Sequence, residues 1–129
     1  MRIETSFQQL QQTIEACVAV QSFKLTYDKR STHTGFVRGE IYFFDGSILH
    51  LREFADVEFT LDRLMYTYHY IDHKNKFVFR YDNTGHHKDL KDTFPHHKHD
   101  GGTGQTIAST APNLNAVLQE IETRLILPS

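Results

Sequence analysis

Apolar positions recur at two different periods along the chain, and the change of period divides it into elements. From 5 to 20, Phe7, Leu10, Ile14, Cys17 and Val18 fall at steps of three and four, the spacing that stacks side chains on one face of a helix. Thr5 with Gln8, or Ser6 with Gln9, offers a capping box at its start. Between 23 and 31 apolar and polar residues alternate, Phe-Lys-Leu-Thr-Tyr-Asp-Lys-Arg-Ser, which predicts a first strand.

Two β-rich runs, 36–44 and 47–57, flank Asp45-Gly46, a dipeptide suited to the positive φ of a tight hairpin. A second pair, 64–71 and 76–82, surrounds Lys74 and Asn75. If those two residues form the turn, His69 faces Arg80 and Thr67 faces Asp82. A three-residue loop with a left-handed Asn75 shifts every pair by one and turns His69 to the other face. From 83 to 112 no period persists, glycines and prolines recur, and a long His-rich loop is expected, with a mobile tip at Asp100-Gly101-Gly102-Thr103-Gly104. Helical spacing returns with Leu114, Val117, Leu118, Ile121 and Leu125, capped by Thr110 or Asn113 and followed by Pro128. The prediction is one α+β domain over 1–129: about five mostly antiparallel strands in hairpins, with an N-terminal and a C-terminal helix packed on one face of the sheet.

The 129 residues carry a formal charge of −2, with 39% apolar and 23% charged positions. Disordered and fibrous classes are excluded, and any basic surface must be local, since no global field attracts nucleic acid or an anionic membrane. Apolar runs fall far short of the roughly 20 residues that cross a bilayer. The start, Met-Arg-Ile-Glu-Thr, lacks the apolar stretch of a secretory signal, which predicts a cytoplasmic protein without a membrane partner. Cys17 is the single cysteine, which excludes an intramolecular disulfide or a Cys-rich zinc site. On the apolar helix face it reads as core.

The functional signal is histidine. Seven of nine (His69, His73, His86, His87, His96, His97 and His99) lie between 69 and 99. Imidazole titrates near neutrality, so two at one site can act as base and acid in one turnover, while Lys or Arg neutralises charge on a phosphorane. Metal-independent RNA cleavage uses those residue types and no cofactor. His97 and His99 are the candidate acid and base, Lys98 and Arg80 the phosphate-holding cations, and Asp82 the carboxylate that orients an imidazole. His86, His87, His96, His69 and Tyr68 are candidate substrate contacts.

Other readings fit the same residues. The histidines with Asp82 and Asp100 offer metal ligands for a hydrolase, although no His-Glu-x-x-His helix is present. In extended backbone His97 and His99 share a face, while His96 points elsewhere with Lys98. Alternatively the string orders a loop, or docks a protein or nucleic acid without turnover. Tyr66, Tyr68, Tyr70, Tyr81, Phe77 and Phe79 are either stacking platforms for single-stranded RNA or core aromatics.

Tyr66-Thr67-Tyr68-His69-Tyr70, Phe77-Val78-Phe79-Arg80-Tyr81-Asp82-Asn83, His86-His87 and Phe94-Pro95-His96-His97-Lys98-His99, with the Ala-Ser-x-x-Pro-x-Leu stretch at 108–114, resemble the TumE family of small bacterial and archaeal toxins. The likeness is most specific over 66–99, extends loosely to the last helix and leaves out 1–20. Lys74-Asn75 stands where such proteins often carry Asp-Gly. Arg80, Asp82, His86, His87, His96, His97, Lys98 and His99 match the pattern position by position. The resemblance implies a toxin of a two-gene toxin–antitoxin module, neutralised by a cognate protein antitoxin and directed at RNA or the translation machinery. It leaves the oligomeric state open, a homodimer included.

Overall fold

Among the described residues seven strands pair in chain order, each antiparallel to the one before, as a single meandering sheet. They are β1 (Val20–Lys29), β2 (Thr34–Phe43), β3 (Ile48–Asp56), β4 (Asp62–Ile71), β5 (Phe77–Asp82), β6 (His97–Asp100) and β7 (Thr106–Ala108), between helices α1 (Ile3–Glu15) and α2 (Leu114–Ile126). The structure is a computed structural model that describes residues 1–83, 97–108 and 112–126. His86, His87, His96, Thr110, Pro128 and the side chain of His97 lie outside the described residues.

Strand alternation sorts the side chains into two faces. One face presents Val37, Ile41, Phe43, Leu49, Leu51, Tyr66, Tyr68, Tyr70 and Phe79, buried against Ile14 of α1 and Leu114, Val117, Leu118 and Ile121 of α2. Both helices therefore cover one face, as the periodicity predicts. The opposite face carries Lys24, Arg38, Glu40, His50, Arg52, Thr67, His69, Arg80, Asp82, His99 and Thr106, set side by side by the strand registers. The tyrosines of β4 are core, so the stacking platform considered for them is absent.

The expectations for the two helices need correction at their ends. Thr5 and Ser6 lie inside α1, so neither capping box forms; Arg2 takes the N-cap position without a side-chain capping bond. The helix start is held instead by Ile3, buried with Ala55 and Val57, whose N–H donates to the Thr32 carbonyl at 2.9 Å. At the other end the helix stops at Glu15, because β1 begins pairing with β2 already at Val20. Val18 is left 75% exposed. Half-buried Cys17 follows the helix, its thiol pushed up by burial. Asn113, one of two candidate caps for α2, accepts from the Ala116 N–H at 2.9 Å.

The sheet has two more strands than expected because β6 and β7 lie inside the stretch predicted as a long loop. With four and three residues, neither is long enough to display a period. Their connection is a hydrogen-bonded turn: the Gly104 N–H donates to the Asp100 carbonyl and the Gly102 N–H to Asp100 Oδ1, both at 2.8 Å. The β4–β5 hairpin combines the two registers left open by the sequence. Asn75 is left-handed, at φ 64°, in a connection closed by the Asp72 N–H on the Lys76 carbonyl at 2.9 Å. Ile71 then faces Phe77, Val78 is an extra residue on β5, and beyond this bulge His69 faces Arg80 and Thr67 faces Asp82.

Glu53 is the anomaly of the helix-covered face. It is buried, Oε2 has no hydrogen-bond partner, and burial raises its pKa against the opposing effects of Arg63 and Tyr68. A carboxyl raised in the folded state loses stability as pH climbs from the ordinary value of 4.5 through the folded one. Glu53→Gln is therefore expected to stabilise the protein at neutral pH by on the order of 1 kcal/mol in urea unfolding, and to lose that advantage at about pH 4.

Candidate functional site

β5 reads Phe-Val-Phe-Arg-Tyr-Asp. After the bulge at Val78, alternation places Phe79 and Tyr81 under the helices and Arg80 and Asp82 on the open face. Asp82 is only 1% exposed. Its Oδ2 accepts from Arg80 Nε at 2.9 Å and lies 3.3 Å from His99 Nε2. Arg80 and His99 are direct cross-strand partners, the distance at which side chains interact across a sheet.

His99 is held at both ring nitrogens. The terminal Nη2 of Arg80 lies 2.9 Å from Nε2, and Thr106 Oγ1 lies 2.9 Å from Nδ1. Guanidinium can only donate, so Nε2 is the acceptor and the ring proton of the neutral form sits on Nδ1, shared with Thr106. Protonation would instead point Nε2–H at Asp82. One imidazole thus has a cation for its neutral state and a carboxylate for its charged state.

The row continues across β4 and β3. His69 faces Arg80 and His50 faces His69, with ring centroids of the two histidines 6.2 Å apart. Burial, then Arg80, then His50 push the His69 pKa below its ordinary value, which keeps this imidazole neutral at physiological pH. The ring of Phe77 lies 5.1 Å away.

The structure brings together Arg80, Asp82, His99 and His69 of the residues singled out above. The backbone register sets His97 opposite Asp82. Lys98 lies elsewhere. It points to the helix-covered face, where Nζ is 3.4 Å from Glu120 Oε2 and sits over the rings of Phe79 and Tyr81 at 5.3 and 4.9 Å. Tyr81 donates to the other Glu120 oxygen at 2.6 Å, and burial raises its pKa. The pairing of Lys98 with Arg80 as phosphate-holding cations is thus corrected: Lys98 fastens β6 to α2. Tyr68 is also removed from the substrate contacts, at 0% exposure. His50, Arg52 and Thr106 were missed, although alternation along 47–57 already puts His50 and Arg52 in the polar phase. Among the described residues, no three His, Cys, Asp or Glu side chains are grouped to hold a metal ion.

A family model described as Toxin TumE matches residues 10–125. The chain belongs to the TumE toxin family. The match runs from the later part of α1 to α2, so it takes in the end of the first helix as well as the His-rich region. A TumE-family protein is the toxin component of a toxin–antitoxin module, and its partner is the cognate antitoxin. No curated protein and no solved structure matches the chain. No described helix of this TumE protein is long and apolar enough to cross a membrane.

If Arg80 is the principal cation for buried Asp82, Arg80→Ala will destabilise the fold by about 1–3 kcal/mol at neutral pH. Urea unfolding measures it; wild-type stability in the variant would contradict that role for Arg80.

Proposed function

We propose that this TumE toxin is a metal-independent endoribonuclease whose reactive centre is His99, with Arg80 and Asp82. The observation that supports it is a single imidazole bonded at one nitrogen by a guanidinium and at the other by a hydroxyl, beside a buried carboxylate. The Arg80 side chain is 38% exposed, so an incoming phosphate can reach it.

An RNA phosphate competes with His99 for Arg80. As the guanidinium turns to the anion, Nε2 loses its donor and becomes an available base. It takes the ribose 2′-hydroxyl proton, O2′ bonds to the adjacent phosphorus, and the bond from phosphorus to the 5′-oxygen breaks. The departing oxygen takes a proton from a second imidazole, for which His97 is the candidate. Cyclic 2′,3′-phosphate and 5′-hydroxyl ends result. Arg80 neutralises the non-bridging oxygens as charge builds, and Asp82 steadies the imidazolium. His69 contacts substrate from β4; His86, His87 and His96 remain candidates for the same role.

Purified protein should cut RNA in excess EDTA and leave cyclic phosphate ends, while His99→Gln should cut about 10²–10⁴-fold more slowly with an unchanged melting temperature. Cleavage that stops in EDTA would assign the reaction to a metal. Wild-type rates in His99→Gln would remove His99 from the chemistry.

A further inference from the structure

Arg38 on β2 and Arg52 on β3 are direct cross-strand partners on the open face. Both are exposed, and among the described residues neither makes an ion pair or a side-chain hydrogen bond. Like charges directly opposite each other destabilise a sheet, so this pair works against the fold unless an anion bridges it. The setting is recessed. Two depressions, of about 530 and 330 Å³, meet along Thr26, Arg38 and Arg52. The larger one reaches Phe36, whose ring packs on Phe54 at 4.4 Å and under Arg30 at 5.0 Å. The smaller one reaches Lys24, Glu40 and His50. His50 then leads through His69 to Arg80 along one continuous cross-strand row.

We propose that Arg38 and Arg52 form a phosphate clamp for single-stranded RNA, placed on the sheet face so that the strand continues over His50 and His69 into the Arg80–His99 centre. This rests on the ribonuclease reading above and extends it to a second binding site. Two guanidiniums side by side match the oxygens of a phosphodiester better than a point cation does. The aromatic floor at Phe36 offers a base a stacking surface, as sequence-tolerant single-strand binders do. The chain is acidic overall at −2, yet Arg38, Arg52, His50, His69 and Arg80 lie together where a polyanion would run; the carboxylates lining the two depressions are Asp28, paired with Arg30 at 3.0 Å, and Glu40, opposite Lys24 and His50.

Binding is separated from cleavage by a fluorescein-labelled 2′-O-methyl oligouridylate, which lacks the reacting hydroxyl. Fluorescence anisotropy should show Arg38→Ala/Arg52→Ala binding it at least tenfold more weakly. The salt dependence should become shallower by about 0.7 for each phosphate that is no longer neutralised. Removing a like-charge pair should leave the melting temperature at or above that of the wild type. Arg2→Ala/Lys29→Ala removes the same charge where both side chains pair with Glu4, and should bind as the wild type does. Equal weakening in the two double variants would show a net-charge effect and overturn the clamp. Wild-type affinity in Arg38→Ala/Arg52→Ala, from a protein that still cuts RNA, would overturn the clamp and leave the ribonuclease reading standing. A wild-type protein that neither binds the probe nor cuts RNA would overturn both.

Discussion

Asp82 holds a carboxylate with almost no surface in water, and a charge so placed persists only while a cation or hydrogen-bond donors stay against it. Among the described residues its partners come from β5 and β6, so the pairing of those strands cannot slip, because a one-residue shift would turn each side chain to the wrong face. The surroundings reinforce that register. The Gly101 N–H donates to the Val78 carbonyl at 2.8 Å, and a Cβ at Gly101 would lie 2.2 Å from the Phe77 carbonyl oxygen. On the other face Lys98 and Tyr81 converge on Glu120 of α2. The register that satisfies the buried charge is the one that assembles the candidate centre.

Alternation lets the same strands do two jobs. Phe79 and Tyr81 contribute to packing under the helices, while Arg80 and Asp82, interleaved with them, face the open side and form part of the candidate centre. The helix-covered side supplies the burial that stabilises the domain, which allows the other side to carry destabilising features: opposed arginines, a cation beside two imidazoles, and a buried carboxylate. Rigidity beneath matters to the site above, because an imidazole shared between Arg80, Asp82 and Thr106 needs three strands held in fixed relation.

The helices, the first five strands and the antiparallel class were legible because each spans enough residues to show its period. β6 and β7 were not, since strands this short are defined by what they pair with. The site was legible in part. Arg80, Asp82 and His99 emerged from composition and local spacing, and alternation already separated Lys98 from His97 and His99. That separation was outweighed by the chemical appeal of a lysine between histidines. The register at Asn75 illustrates the limit most sharply: a left-handed loop residue and a downstream bulge offset one another, and only the second is invisible in a sequence, because it depends on how Gly101 meets the Phe77–Val78 backbone. His50 and Arg52 were overlooked because they lie outside the histidine cluster and join it only across strands.

The Arg80–Asp82 pair fixes the proton of His99, and ¹⁵N-resolved NMR of the imidazole tests this directly. At about pH 8, where an ordinary imidazole is neutral, the geometry predicts one tautomer, with Nδ1 protonated and Nε2 carrying the lone pair that Arg80 engages. A ring protonated at Nε2, or one exchanging between tautomers as free histidine does, would contradict it.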